Sequence, residues 1–334
     1  MFLRKENLTD AISALLPAYE AYAPTGEGEH GAFRRLERAD GAGGYALALI
    51  GKTLLPPKDI LFPRSESLYK VDMKSGETAP PPAPDKTLLF GIRPCDVRSI
   101  ENLDAAFLEK GYVDAGYAAR REALTIVCLA CREIPSPACF CDSMGGSPAD
   151  AAGADVLLTE ADDGSGMICE AKTEKGEAVL ALWEKLLEKK EPKKPKTPAC
   201  TLSVKKPDDL AEKLVRNFDD EQWTRFSEPC MACGCCTYVC PTCYCFDIAF
   251  EKEGTAADAF RSWDSCLFPK YSLMAGGHNP RWMKTQRLRN RYLHKLSYFD
   301  ERYGKTLCVG CGRCIENCSQ GLDITRVIEW GGTL

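Results

Sequence analysis

Two copies of one cysteine pattern constrain this chain more than anything else in it. The first is Cys230-Met-Ala-Cys233-Gly-Cys-Cys236-Thr-Tyr-Val-Cys240, and the second is Cys308-Val-Gly-Cys311-Gly-Arg-Cys314-Ile-Glu-Asn-Cys318. Each reads C-x2-C-x2-C-x3-C, the thiolate spacing of a [4Fe–4S] site. Three thiols three residues apart on a tight loop each reach a different iron of one cube. The fourth sits on the helix that follows and belongs to the cube of the other copy. This places Cys230, Cys233, Cys236 and Cys318 on one cube, and Cys308, Cys311, Cys314 and Cys240 on the other. Gly234, Gly310 and Gly312 let the backbone pass close to the sulfurs. Structural zinc is the alternative, but a zinc ion takes four ligands, usually two from each knuckle. It has no use for the fourth thiol that each loop offers here.

The surrounding composition narrows the setting. A chain of 334 residues with 45% hydrophobic and 27% charged residues reads as globular, with about two domains. A formal charge of −5 argues against a general nucleic-acid binder. The 19 cysteines are an odd number, and the alternative of a disulfide scaffold suits short secreted chains. The start, Met-Phe-Leu-Arg-Lys-Glu-Asn, lacks the apolar core of a signal peptide, and no run of 18 apolar residues occurs. The expectation is a cytoplasmic chain with reduced thiols, bound neither to a membrane nor to nucleic acid.

The fold class expected is α+β. Residues 1–190 form an α/β domain with a small parallel sheet. Residues 191–206, rich in Pro and Lys, form a solvated linker. Residues 207–334 form an α-helical, ferredoxin-like dicluster domain. Residues 7–22 read as an amphipathic helix and Tyr45–Ile50 as a short strand. Gly41-Ala-Gly-Gly44 reads as a turn. The prolines of Leu54–Glu66 exclude a long regular element, and 76–85 is a loop. Thr87–Ile92 and Leu124–Ala130 are apolar strands. Between them, Asp96 caps a helix that runs to about Lys110, giving a parallel β-α-β unit. Asp155–Thr159 and Met167–Glu170 add strands, and 178–190 and Leu210–Phe226 read as helices. About 70 residues separate the cysteine motifs, far more than in a small ferredoxin, so helices are expected around them. This insert holds a basic stretch, Arg281, Lys284, Arg287, Arg289, Arg291, His294 and Lys295. It either offsets cluster charge, docks an acidic partner or forms a solvated face.

A third [4Fe–4S] site follows from the β-α-β unit. Cys95 leaves the first strand and Cys131 leaves the second, so both emerge at one carboxyl edge of the sheet, where open α/β sheets place their sites. Cys139 and Cys141 lie on the next loop, which Pro135 and Pro137 fold back. The N-terminus of the helix after Cys95, with Arg93, favours an anionic site. Buried thiols or zinc are the alternative. Cys243, Cys245 and Cys266 read as buried free thiols near the first motif. Cys128, Cys169, Cys200 and Cys235 read as structural.

Several strings resemble the iron–sulfur subunits of the sulfhydrogenase beta and anaerobic sulfite reductase A group. They are Pro57-Lys-Asp-Ile-Leu-Phe-Pro-Arg-Ser-Glu66, Gly91-Ile-Arg-Pro-Cys-Asp96, Cys139-Phe-Cys141, Trp263-Asp-Ser-Cys266, Ala275-Gly-Gly-His278 and Cys308–Cys314. The resemblance spans most of residues 55–325. Ser319 stands where the group commonly has proline, which touches only the local turn. The resemblance implies a non-catalytic electron-transfer subunit, working between an NAD(P)H-oxidising flavoprotein and a catalytic subunit of the hydrogenase or sulfite reductase type. It points to the same third-site cysteines. A self-contained reductase is the competing reading, but no flavin or nicotinamide fingerprint is present. Sirohaem binding has only by-product C-x5-C and C-x3-C spacings in its favour. A zinc-stabilised interaction protein is the third reading.

Overall fold

The computed structural model describes residues 1–26, 31–37, 47–49 and 51–334. The expected turn at Gly41–Gly44 and part of the Tyr45–Ile50 strand lie outside them. Leu47 pairs with Thr25 in an isolated bridge.

Eight strands form the main sheet: β1 (Phe2–Arg4), β2 (Glu20–Thr25), β3 (Ala32–Arg35), β6 (Thr87–Ile92), β7 (Leu124–Leu129), β8 (Val156–Glu160), β9 (Gly166–Ala171) and β10 (Leu187–Glu188). Their order is β10-β1-β9-β8-β7-β6-β2-β3. The centre, β2-β6-β7-β8, is parallel, as expected, and the flanks are antiparallel. The sheet is thus mixed and larger than the sequence suggests.

Alternation along the two central strands explains their unbroken apolar character. Leu88 and Phe90 of β6, with Val127 and Leu129 of β7, pack on the face that holds Ile12, Leu15 and Trp183. Leu89 and Ile92, with Ile126 and Cys128, face the other way, onto Val97, Ile100 and Leu103. A strand buried on both faces has no polar side to alternate with. Those last residues belong to α3 (Pro94–Leu108), the crossover helix, which follows α1 (Leu8–Leu15) and the short turn α2 (Lys58–Leu61).

The expected helix over 7–22 stops at Leu15, because Pro17 supplies no N–H and the chain turns extended at Glu20. Helix α3 begins at Pro94 with Arg93 at its N-cap, so Asp96 lies inside the first turn rather than capping it. After α4 (Ala115–Ala123), α5 occupies Glu174–Leu182, capped by Thr173, instead of 178–190; the end of that stretch forms β10. Leu210–Phe226 breaks into α6 (Leu210–Arg216) and α7 (Gln222–Ser227).

Residues 191–206 hold no helix or strand, yet they are not a loose tether. Lys193 pairs with Asp162, Lys194 with Glu170, and the Cys200 amide donates to Asp142 at 3.0 Å.

The segment between the cysteine motifs was expected to be helical. It instead begins with a hairpin, β11 (Phe246–Glu253) and β12 (Ala256–Trp263), and β12 pairs with β4 (Ser65–Asp72), itself paired with β5 (Thr78–Ala79). This second sheet joins residues from both ends of the chain. Helices follow: α9 (Lys284–Leu293), a π-helical turn over His294–Tyr298, α10 (Phe299–Tyr303) and α12 (Ile324–Thr333). α9, the π-helical turn and α12 share a core with Trp223, Leu210 and Leu214, while Phe299 of α10 packs with Ala105 and Leu307. Two one-turn helices, α8 (Cys235–Tyr238) and α11 (Arg313–Glu316), carry the ends of the two motifs and pack on each other.

Candidate functional site

The two motif loops take the same backbone path. Gly234 and Gly312 have φ of 78° and 76°, and the equivalent pair Ala232 and Gly310 have 55° and 68°. A left-handed residue at the same two places turns each loop around one point. At Gly310 a Cβ would fall 2.5 Å from the Phe140 carbonyl oxygen, so the second loop also requires glycine for close packing.

The fourth cysteines cross over. Cys318 is an electrostatic neighbour of Cys236, which also neighbours Cys230. Cys235 lies near both Cys233 and Cys318. Cys240, for its part, neighbours Cys308, Cys311 and Cys314. The structure thus gathers Cys240 with Cys308, Cys311 and Cys314, and Cys236 with Cys230 and Cys318, while Cys236 also neighbours Cys240 and Cys233 is reached through Cys235. The Ala232 and Leu322 amides donate to the Cys230 and Cys318 sulfurs, each at 3.3 Å.

The third set also converges, at the carboxyl edge of β6 and β7. Cys95 in the first turn of α3, Cys131 just past β7, and Cys139 and Cys141 line one cavity with Lys52, Arg93, Pro135, Pro148 and Cys311. Cys200, expected to be structural, joins them, its sulfur 3.7 Å from that of Cys141. No motif marks Cys200; only the fold brings it here. Cys128 stays in the apolar core beneath α3. The Phe140 amide donates to the Gly310 carbonyl at 2.8 Å, tying the Cys139–Cys141 loop to the second motif.

Buried cations stand beside several of these thiols. Lys52 donates to the Cys311 carbonyl at 2.7 Å, lies 3.5 Å from the Cys139 sulfur, and pairs with Glu316. Arg93 spends its guanidinium on the Gly51, Leu129 and Ala130 carbonyls beside Cys131. The basic stretch is not a solvated face: Arg287, Arg291 and Lys295 point inward and are buried. Arg287 donates to the Leu267, Arg281 and Trp282 carbonyls. Arg291 lies beside Cys236 and Cys314, and Lys295 donates to Thr242 at 2.8 Å. Burial pushes the Cys131 and Cys308 thiols up to about 11, against the pull of Arg93 on the first and of the Gly310 backbone and Lys295 on the second. Thiolates in such places require positive charge, which iron and these cations would both supply. The donor set therefore fits iron–sulfur clusters.

Comparisons with known proteins agree. A family of 4Fe-4S dicluster domains matches residues 229–322. "Sulfhydrogenase 2 subunit beta" of Pyrococcus furiosus is 31% identical over 339 residues, which cover 98% of this chain and 96% of that protein. The chain belongs to the sulfhydrogenase beta-subunit family. No solved structure matches it. As a family member it is an iron–sulfur subunit whose dicluster domain spans both motifs. Among the described residues, no helix is long and apolar enough to cross a membrane.

Proposed function

We propose that this sulfhydrogenase-beta homologue relays electrons between an NAD(P)H-oxidising flavoprotein and a catalytic subunit of the hydrogenase or sulfite reductase type. Three clusters form the relay. Cys230, Cys233, Cys236 and Cys318 hold the first, and Cys240, Cys308, Cys311 and Cys314 the second. Cys95, Cys131, Cys139 and Cys141 hold the third, with Cys200 as the rival ligand beside Cys141.

The observation that carries this reading is the continuity of the three thiol sets. Cys95 and Cys139 neighbour Cys311, Cys311 neighbours Cys240, and Cys240 neighbours Cys236. Electrons entering at one end would pass between sites that are neighbours in turn. The chain's own residues bury or half-bury these cysteines, except the exposed Cys233, and supply fixed positive charge.

Anaerobic co-purification of the tagged chain from its native host tests the relay. The expected result is a complex with a flavoprotein and a separate catalytic subunit, whose NAD(P)H-driven activity disappears in a Cys311→Ser chain. A chain that purifies alone, binds flavin and turns over unaided overturns it.

A further inference from the structure

The hairpin β11–β12 has a consequence at its root. Antiparallel pairing sets Phe246 against Trp263 and closes with the Asp264 amide donating to the Cys245 carbonyl at 2.9 Å. The residues that enter and leave the hairpin are therefore held side by side. Those residues are Cys243 and Cys245 before it and Cys266 after it. The Cys245 thiol is in hydrogen-bonding contact with both Cys266 and the Tyr271 hydroxyl. Cys243 neighbours Cys245 and contacts Cys240 of the second motif.

Three buried cations stand around this group without a counter-ion. Lys58 is 3% exposed; it donates to the Cys243 carbonyl at 2.8 Å and sits 4.1 Å from the Trp263 ring centroid. Lys295 is 2% exposed, with Thr242 as its acceptor. Arg291 is 3% exposed, neighbours Cys243 and Cys266, and its Nε has no hydrogen-bond partner. Among the described residues, none of the three lies within ion-pair distance of a carboxylate; the ion pairs of the chain involve other cations. An uncompensated buried cation is strongly unfavourable. Three of them around one thiol group require an anion of high charge. The clusters of the two motifs satisfy part of this demand, but Lys58 reaches toward Cys243, on the hairpin side.

We propose that Cys243, Cys245 and Cys266 bind a further iron–sulfur cluster, a cube with the Tyr271 oxygen on its fourth iron. Each Fe–S bond to the chain forms as one thiol loses its proton, and the Fe–O bond forms as the phenol loses its own. The cluster adjoins the second motif through Cys240 and opens a branch of the relay toward the hairpin. This rests on the iron–sulfur reading of the motif pair and replaces the expectation that these three are free thiols.

The test uses the full chain, reconstituted anaerobically with equal amounts of ferrous and ferric iron and with sulfide, which supply the cube's oxidation level while the released thiol and phenol protons pass to the buffer. In Cys266→Ser and in Cys245→Ser, iron and acid-labile sulfide should each fall by about four per chain, with both motif signals kept in the reduced spectrum. Unchanged iron in both variants overturns the proposal. A Cys128→Ser chain, altered in the apolar core, should lose none. If the hairpin variants do not fold, a Cys139→Ser, Cys200→Ser double variant decides, because it lacks both candidate ligands of the third site. About twelve irons there support the proposal, and about eight overturn it. Fewer than eight would instead indict the motif pair. Tyr271→Phe should lose about one iron and show a three-iron signal when oxidised; full iron with an unchanged spectrum removes the oxygen ligand.

Discussion

Arg313, inside the second cysteine motif, and Asp96, in the first turn of α3, form an ion pair 217 residues apart in sequence, with 2.8 Å between Nη2 and Oδ2. Both side chains are 1% exposed. The pair fixes the second motif against the helix that presents Cys95, and Arg313 adds a bond to the Thr53 carbonyl at 2.8 Å. Removing one partner leaves the other charge buried and alone. Asp96→Asn should therefore cost about 3–5 kcal/mol, read by urea denaturation of the anaerobic holo-chain. The double variant Asp96→Leu with Arg313→Met should recover part of that loss, since no lone charge remains. Equal stability of Asp96→Asn and the unchanged chain would refute the coupling.

Arg291 makes a second prediction. Its guanidinium lies beside Cys236 of one motif and Cys314 of the other. A fixed cation favours the more negative, reduced state of each cluster. Arg291→Met should make both motif potentials more negative. The shift is on the order of 2 kcal/mol at an effective dielectric near 20, roughly 90 mV for a one-electron couple. Potentiometric titration followed by electron paramagnetic resonance measures it. Lys270→Met, at an exposed position, should leave the potentials in place because salt screens it.

Ligand variants separate the clusters. Cys233→Ala should remove the first motif's cluster and keep the second, because Cys233 sits mid-loop with no place in the other thiol set. Cys139→Ser should lower the iron of the reconstituted chain by about four while sparing both motif signals. The same iron content in Cys139→Ser, in Cys200→Ser and in the unchanged chain rejects the third cluster. Cys200→Ser, read in parallel, shows whether Cys200 or Cys139 is the ligand.

Local signals carried much of this architecture and failed where the fold joins distant segments. The motif spacing encodes the crossing of Cys240 and Cys318, because the loop and the helix after it are continuous in sequence. The β6-α3-β7 unit was legible because both strands are apolar on both faces. Cys200 was not, since it lies in a Pro- and Lys-rich stretch that Lys193 and Lys194 pin to the sheet domain. The hairpin β11–β12 escaped because β11 is largely exposed, as at Phe250 and Ile248, and the fully buried positions of β12 are Ala259 and the charged Arg261, which do not read as a strand's apolar face. The basic stretch misled for the opposite reason. Charge in a sequence reads as surface, whereas Arg287, Arg291 and Lys295 turn inward, the last two toward cysteines.

The last prediction concerns acid. His294 opens the π-helical turn, its Nε2 3.1 Å from the Tyr244 hydroxyl. Burial, and then the neighbouring Lys295 charge, lower its pKa from 6.5 to about 4. In the unfolded chain the same imidazole takes up a proton near pH 6.5. Between those values the unfolded state binds a proton that the native state refuses, so stability falls as pH drops from about 6.5 to about 4, and this contribution is then constant below. The full loss is about 3 kcal/mol, from a shift of roughly 2.5 units at 1.36 kcal/mol each. Between about pH 7.5 and 5.5, a range mild enough for the clusters, His294 should account for about 1 kcal/mol. Urea denaturation across that range should show the slope in the unchanged chain and a flatter one in His294→Gln. An identical slope in the two chains would assign the acid sensitivity to other groups.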